Sequence, residues 1–164
     1  MAKSFGLREF QQKLLDRIQL QEAAGDRIST LGIQIGRAFW LVEMEDISEV
    51  LTLPTVATVP LTQPWYRGVA NVRGNLYGIA DLAAFMGQGE TPEGGQCRVL
   101  LAAQKFSCNA GLLVTRVLGL RDTLNWQQEM KDGEVHWRDE QSHLWRKLDM
   151  SQLLQQPDFL QIGI

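Results

Sequence analysis

The residue types able to do chemistry are few and widely spaced. His136 and His143 lie in one polar stretch, but seven residues apart, which is poor spacing for a metal pair. Cys97 and Cys108 are the two cysteines, and their separation fits neither a metal knuckle nor a redox pair. They read as buried, reduced thiols in a cytosolic protein. Asp81 and Asp149 are candidate paired acids. Each, however, follows a strand-like run and precedes a short apolar segment, which is the setting of a helix N-cap. There is no G-x-S-x-G, no H-E-x-x-H and no Walker-type lysine loop. These patterns predict no enzyme activity, no cofactor and no metal.

The densest functional stretch is "WYRGVANVRGNLYGIADLAAFMG", Trp65 to Gly87, with two Arg-Gly pairs, Arg67-Gly68 and Arg73-Gly74. Arginine, glycine and aromatics in one strand pair superficially match RNA-binding sheets. The pattern argues otherwise. Gly74-Asn75 fits a two-residue primed turn, which pairs Arg73 with Leu76, Val72 with Tyr77, Asn71 with Gly78 and Ala70 with Ile79. Alternation then sends Val72, Tyr77, Ala70 and Ile79 to the core and leaves Arg73, Asn71 and Gly78 outside. That outer face has no stacking platform. A net charge of -3 also lacks the usual basic footprint, so nucleic acid is not an expected partner. Arg73 keeps its charge at any ordinary pH. It therefore needs solvent, an internal acid or a partner: it either braces the hairpin or anchors an interface.

The elements that position these residues are mainly β. A chain of 164 residues suits one domain, or two small lobes on a shared core. Ser4 to Gly25 reads as an amphipathic helix, with Leu7, Phe10, Leu14 and Ile18 on one face, docking on the protein's own body or on a partner. This gives an N-terminal helix over 1–25 and a β domain over 26–164. "ISTLGIQIG" and "RAFWLV" form a hairpin turning near Gly36-Arg37, and Val50 to Leu53 is strand-like. Pro54, Pro60 and Pro64 mark an extended loop, and "GQGETPEGG" reads as the most mobile internal segment. "CRVLLAAQ" and "FSCNAGLLVTRV" form a second strand pair, followed by a polar stretch with turns and a short strand or two. The start has no signal-peptide core, and the run Val99 to Ala103 is far too short to span a bilayer, so direct membrane insertion is not expected.

An internal repeat is visible. "LYGIADLAAFM" aligns with "LWRKLDMSQLL", matching Leu76 to Leu144, Tyr77 to Trp145, Asp81 to Asp149 and Leu82 to Met150. Each half ends in strand, aspartate and short apolar helix, which points to two β lobes, each closed by a helix.

With these residues in view, "VPLTQPWYRGVANVRGNLYGIADLAAFMG" closely resembles the signature of CheW-like chemotaxis coupling proteins: a proline-punctuated loop, then G-V-x-N-x-R-G, a strand and a D-L helix start. Upstream, "LGIQIGRAFWLVEMEDISEV" is similar to the family's opening hairpin and acidic run, and downstream "AGLLVTRVLGL" and "LDMSQLL" are similar to its second lobe. The amphipathic start and "TQPWYRGVANVRGNL" resemble most the branch serving type IV pilus, or twitching-motility, systems. The resemblance implies two SH3-like five-stranded β-barrels sharing a core. It implies a non-enzymatic cytoplasmic adaptor, recruited to the inner membrane through receptors. Its partners would be the cytoplasmic tip of a transmembrane chemoreceptor and the regulatory domain of a CheA-like histidine kinase. The positions implied to face a partner are Arg73, Asn71, Ile47 and Glu49. The alternative class is a regulatory β-barrel that binds a small ligand or nucleic acid.

Overall fold

The computed structural model describes residues 30–164, together with Gln11, Gln12 and Leu15, which are helical. The rest of the helix expected over Ser4–Gly25 lies outside the described residues. The described strands are β1 (Thr30–Ile35), β2 (Ala38–Glu43), β3 (Ile47–Leu51), β4 (Val56–Ala57), β5 (Tyr66–Val72), β6 (Asn75–Asp81), β7 (Arg98–Ala102), β8 (Ala110–Val114), β9 (Arg116–Arg121), β10 (Gln127–Lys131), β11 (Glu134–Arg138) and β12 (Leu144–Lys147). Three short helices follow strands or close the chain: α1 (Leu82–Phe85), α2 (Met150–Gln155) and α3 (Pro157–Leu160).

The strands form two six-stranded sheets, in the orders β10-β11-β12-β2-β1-β9 and β4-β5-β6-β8-β7-β3. The two orders match strand for strand, including the parallel junctions β12–β2 and β6–β8. Each repeat therefore lends its leading hairpin to the other lobe: β1-β2 joins β9 to β12, and β7-β8 joins β3 to β6. In each sheet the two edge strands, β3 and β4 or β9 and β10, are consecutive in the chain. Counted as one bent strand, they give the five strands of each expected barrel, closed by the chain rather than by ladder hydrogen bonds. Pro54 lies at one of these bends, where its missing N–H removes nothing.

Alternation explains the packing. On β7, Leu100 and Ala102 enter the core shared by the lobes, with Ile33, Ile35, Val42, Leu112 and Val114. Val99 and Leu101 point the other way, into the barrel of the β3–β8 lobe, with Ala70, Ile79 and Leu113. A strand buried on both faces reads as a continuous apolar run, which accounts for "VLLA".

Asp81 and Asp149 both cap helices, as expected, but differ in everything else. Asp149 Oδ1 accepts from Gln152 N at 3.1 Å and is otherwise exposed. Asp81 has no exposed surface. It accepts from Ala84 N (3.4 Å), Arg67 Nη2 (3.0 Å), Thr91 N (2.7 Å) and Thr91 Oγ1 (2.6 Å). Arg67 Nη2 also donates to Thr91 O at 2.7 Å. A bulge between Tyr66 and Gly68 turns Arg67 toward this carboxylate. The loop expected to be most mobile is thus anchored at its centre, with Thr91 only 2% exposed.

The polar stretch after β8 holds more structure than its composition implies. Asp132 and Gly133, with φ of 53° and 78°, turn β10 into β11. Trp145 fills the barrel of this lobe, its ring 5.0 Å from Phe39 and 5.3 Å from Trp126. Its Nε1 donates to Asp139 Oδ2 at 2.9 Å. Burial alone would raise the Asp139 carboxyl, but donation from Trp145 and from the N–H groups of His143 and Gln141 outweighs it and holds the group below its ordinary range.

Two expectations follow. Asp149→Ala should lose about 1 kcal/mol, the usual loss for a cap. Asp81→Ala should lose more, about 3 kcal/mol, because the buried Thr91 N–H and hydroxyl lose their acceptor while Arg67 keeps Thr91 O and Glu93; urea denaturation of both variants measures the contrast, and equal losses would refute it. Because folding lowers the Asp139 pKa, its contribution is complete above the unfolded value and disappears as pH falls through the folded one. The stability gap between wild type and Asp139→Asn should therefore shrink as the pH falls below about 4, read from thermal unfolding at each pH.

Candidate protein-interaction surface

The hairpin β5-β6 turns one residue earlier than the sequence pattern implies. The central turn residues are Arg73 and Gly74, with φ of 50° and 87°, rather than Gly74 and Asn75. Val72 pairs with Asn75, Asn71 with Leu76 and Ala70 with Tyr77. Positive φ at both central positions is the type I′ geometry. The reason lies in Asn71, whose Oδ1 accepts from Gly74 N at 2.8 Å and folds the chain back at that point. Each partner moves by two residues, so the faces are unchanged: Ala70 and Ile79 remain buried, with Val72 and Tyr77 packed against them.

Left-handed backbone at a non-glycine residue is uncommon and strained, by about 1–3 kcal/mol. Arg73 sits there with an exposed side chain. Its guanidinium forms a fork with Glu49: Nη1 donates to Oε1 at 3.0 Å, and Nη2 to Oε2. Glu49 is on β3, one edge of the sheet, while Arg73 is the turn residue that follows β5, the strand next to the other edge. The fork spans the gap that the ladder leaves open. The side chains are 69% and 33% exposed, so the pair contributes at most about 1 kcal/mol.

A bulge on β3 sets the neighbouring residues. The register shifts between Ile47 and Glu49, and Ser48 Oγ donates to Leu101 O at 3.3 Å. Ile47 therefore enters the shared core, while Glu49 follows Leu51 toward the barrel side. Of the four residues singled out in the sequence, the structure brings Arg73, Asn71 and Glu49 to one surface. Ile47 is buried beneath it, its side chain committed to packing.

Some features of this surface are not in the sequence pattern. Leu76, opposite Asn71, is 61% exposed and puts an apolar side chain beside the arginine. The sequence pattern sets it opposite Arg73 on the outer face, which was the available signal. Gly68 has φ of 132°, and a Cβ there would lie 2.1 Å from Ala57 O, so the close pairing of β4 requires glycine. Gly78 likewise makes room for the Tyr66 ring, whose hydroxyl would lie 2.7 Å from a Cβ.

Elsewhere, a broad groove of about 1660 Å³ runs between the lobes, with Trp65, Phe85 and Met86 on one side and Trp137 and Arg146 on the other. It exceeds the roughly 300–1,000 Å³ of small-molecule pockets. His136 is buried, with Nδ1 3.2 Å from Glu134 O, and His143 Nδ1 lies 3.3 Å from Asp139 Oδ2. Among the described residues, no group of three or more His, Cys, Asp or Glu could hold a metal ion, and no helix is long and apolar enough to cross a membrane.

Comparison with known proteins agrees with this architecture. The family model of the CheW-like domain matches residues 29–158. Protein PilI of Pseudomonas aeruginosa is 34% identical over 110 residues, which are 67% of this chain and 61% of that protein. The match thus spans less than two thirds of PilI. The crystal structure of the scaffolding protein TtCheW from Thermoanaerobacter tengcongensis superposes with a TM-score of 0.63 at 16% identity, covering 79% of this chain and 93% of that one. At that identity the likeness speaks to the fold alone. The matched family model, the paired lobes and the N-x-R-G hairpin converge: this chain belongs to the CheW-like domain family.

Proposed function

We propose that this chain is a non-enzymatic adaptor that couples transmembrane methyl-accepting chemoreceptors to a CheA-like histidine kinase. Its similarity to PilI supports a place in a type IV pilus, or twitching-motility, chemosensory system, with the protein in the cytoplasm beside the receptors' inner tips. The observation that carries the reading is the hairpin tip. An arginine held in strained left-handed backbone, 69% exposed and flanked by an exposed leucine, contributes little to folding. It has the makeup of an interface anchor, a planar fork on an apolar stem.

In this reading Arg73 and Leu76 meet the partner, Asn71 fixes the turn that aims them, and Glu49 presets the guanidinium. Ile47 contributes from beneath by holding β3 in place. Coupling is geometric: the receptor tip and the kinase's regulatory domain dock on different surfaces of one rigid body, so a shift at the receptor alters the kinase's placement.

Arg73→Glu should weaken binding to a receptor tip or kinase regulatory domain at least ten-fold, with a melting temperature close to wild type. Glu49→Arg alone should also weaken binding. The informative variant is the charge swap Arg73→Glu/Glu49→Arg, which restores the fork while leaving the outward charge reversed. Calorimetry should find binding still lost for whichever of the two partners Arg73→Glu weakened. Recovery in the swap would mean that the fork only braces the hairpin, and a collapsed melting temperature in the single variants would assign Arg73 to the fold.

A further inference from the structure

The groove between the lobes keeps apolar surface that neither core covers. Trp65, Phe85 and Met86 line one side, half-buried and packed against the edge of the shared core. Val135 and Trp137 line the other. Trp137 is half-buried, Val135 is 42% exposed, and neither belongs to a core cluster. The groove is also acidic: five carboxylates line it, against Arg146 and Lys147. Glu43, Glu134 and Asp46 are paired with Lys147, Arg146 and Lys105. Asp149, the cap of α2, and Asp158, in the first turn of α3, are exposed and have no ion pair among the described residues. Apolar walls with an acidic rim fit an amphipathic segment whose apolar stripe is flanked by basic residues.

The chain carries such a segment, and it enters the fold at this groove. Leu7, Phe10, Leu14 and Ile18 recur at helical period. At that period Lys3 and Arg17 fall beside the stripe, while Glu9 and Asp16 fall on the opposite side. Through Leu20 the chain has four basic residues against two acidic ones, in a protein of net charge -3. Gln12 and Leu15, which fall outside the stripe, are helical and exposed; most of the segment lies outside the described residues. The tether fixes where it ends. Thr30, the first residue of β1, pairs with Glu43, and Glu43 lines the groove. Five peptide links join Gly25 to Thr30, a reach of at most about 17 Å. Held this close, the segment meets the groove as an intramolecular ligand at high effective concentration.

We propose that the groove is the docking site of the chain's own N-terminal segment, residues 3–18. The apolar stripe lies on Trp65, Phe85 and Trp137, and Lys3 and Arg17 face the acidic rim. The segment and any protein partner then compete for the groove. This closure does not depend on the adaptor reading, which places its partner on the hairpin tip. The test is an NMR measurement on the full chain carrying a nitroxide at Leu15→Cys, with Cys108→Ser and the buried Cys97 kept. Amide signals of Trp65, Phe85 and Trp137 should lose intensity relative to the reduced label. Those of residues 71–76, at the far end of β5 and β6, should keep theirs. Adding Leu7→Asp/Leu14→Asp should restore the groove signals. Lys3→Glu/Arg17→Glu, which leaves the stripe intact, should restore them in part. A mixture of nitrogen-15 chains without nitroxide and unenriched chains with it should show no loss. Groove signals that keep their intensity in the labelled chain would overturn the proposal. So would a loss that survives both sets of substitutions, or an equal loss in the mixture, which would assign the groove to a second copy.

Discussion

A carboxylate without exposed surface must be surrounded by donors, or its charge would make the fold untenable. Asp81 meets that requirement with a guanidinium, a hydroxyl and two backbone N–H groups. Those donors come from β5, from α1 and from the loop before β7, so one side chain locks four segments together. The β5-β6 hairpin thereby gains a fixed base. Its far end can then hold a strained turn and an exposed arginine without the strand pair shifting. The same lock explains why a Gly- and Glu-rich loop runs close to the body instead of swinging free.

The two lobes show what duplication keeps and what it releases. Strand order, the parallel junction, the bulge on β3 or β9 and the aspartate cap recur in both. Because each repeat gives its leading hairpin to the other lobe, neither lobe can be completed without the whole chain. The chemistry inside the barrels has diverged. One lobe spends its buried charge on Asp81 and presents a hairpin tip. The other is filled by Trp145 and Phe39, with Asp139 held by the indole, and carries its cations outside.

Much of this was legible in the sequence. The strand–aspartate–helix repeat located both caps, and period-two alternation sorted the faces of β5 and β6 correctly. The turn between them was placed one residue late because Gly-Asn competes with Arg-Gly for a primed turn. The Asn71 side chain decides the matter through a hydrogen bond that no propensity encodes. Bulges at Ser48 and Arg67 were invisible for a similar reason: one extra residue changes the phase of a strand, and only the partner strand reveals it. Thr91 looked like loop because its anchor lies ten residues away on another element. In the last third, Asp132-Gly133 was a readable hairpin signal, masked by polar strands that are exposed on most positions.

The central claim is that the hairpin tip, held rigid from its base by Asp81, is a surface on which a protein partner docks. The most direct measurement is a backbone amide shift map of the labelled chain, titrated with a soluble chemoreceptor tip. The expected result is a perturbation centred on residues 71–76 and on Glu49, with the amides around Asp81 and Thr91 unchanged. Shifts confined to the β9–β12 lobe, with the tip silent at saturation, would contradict the account.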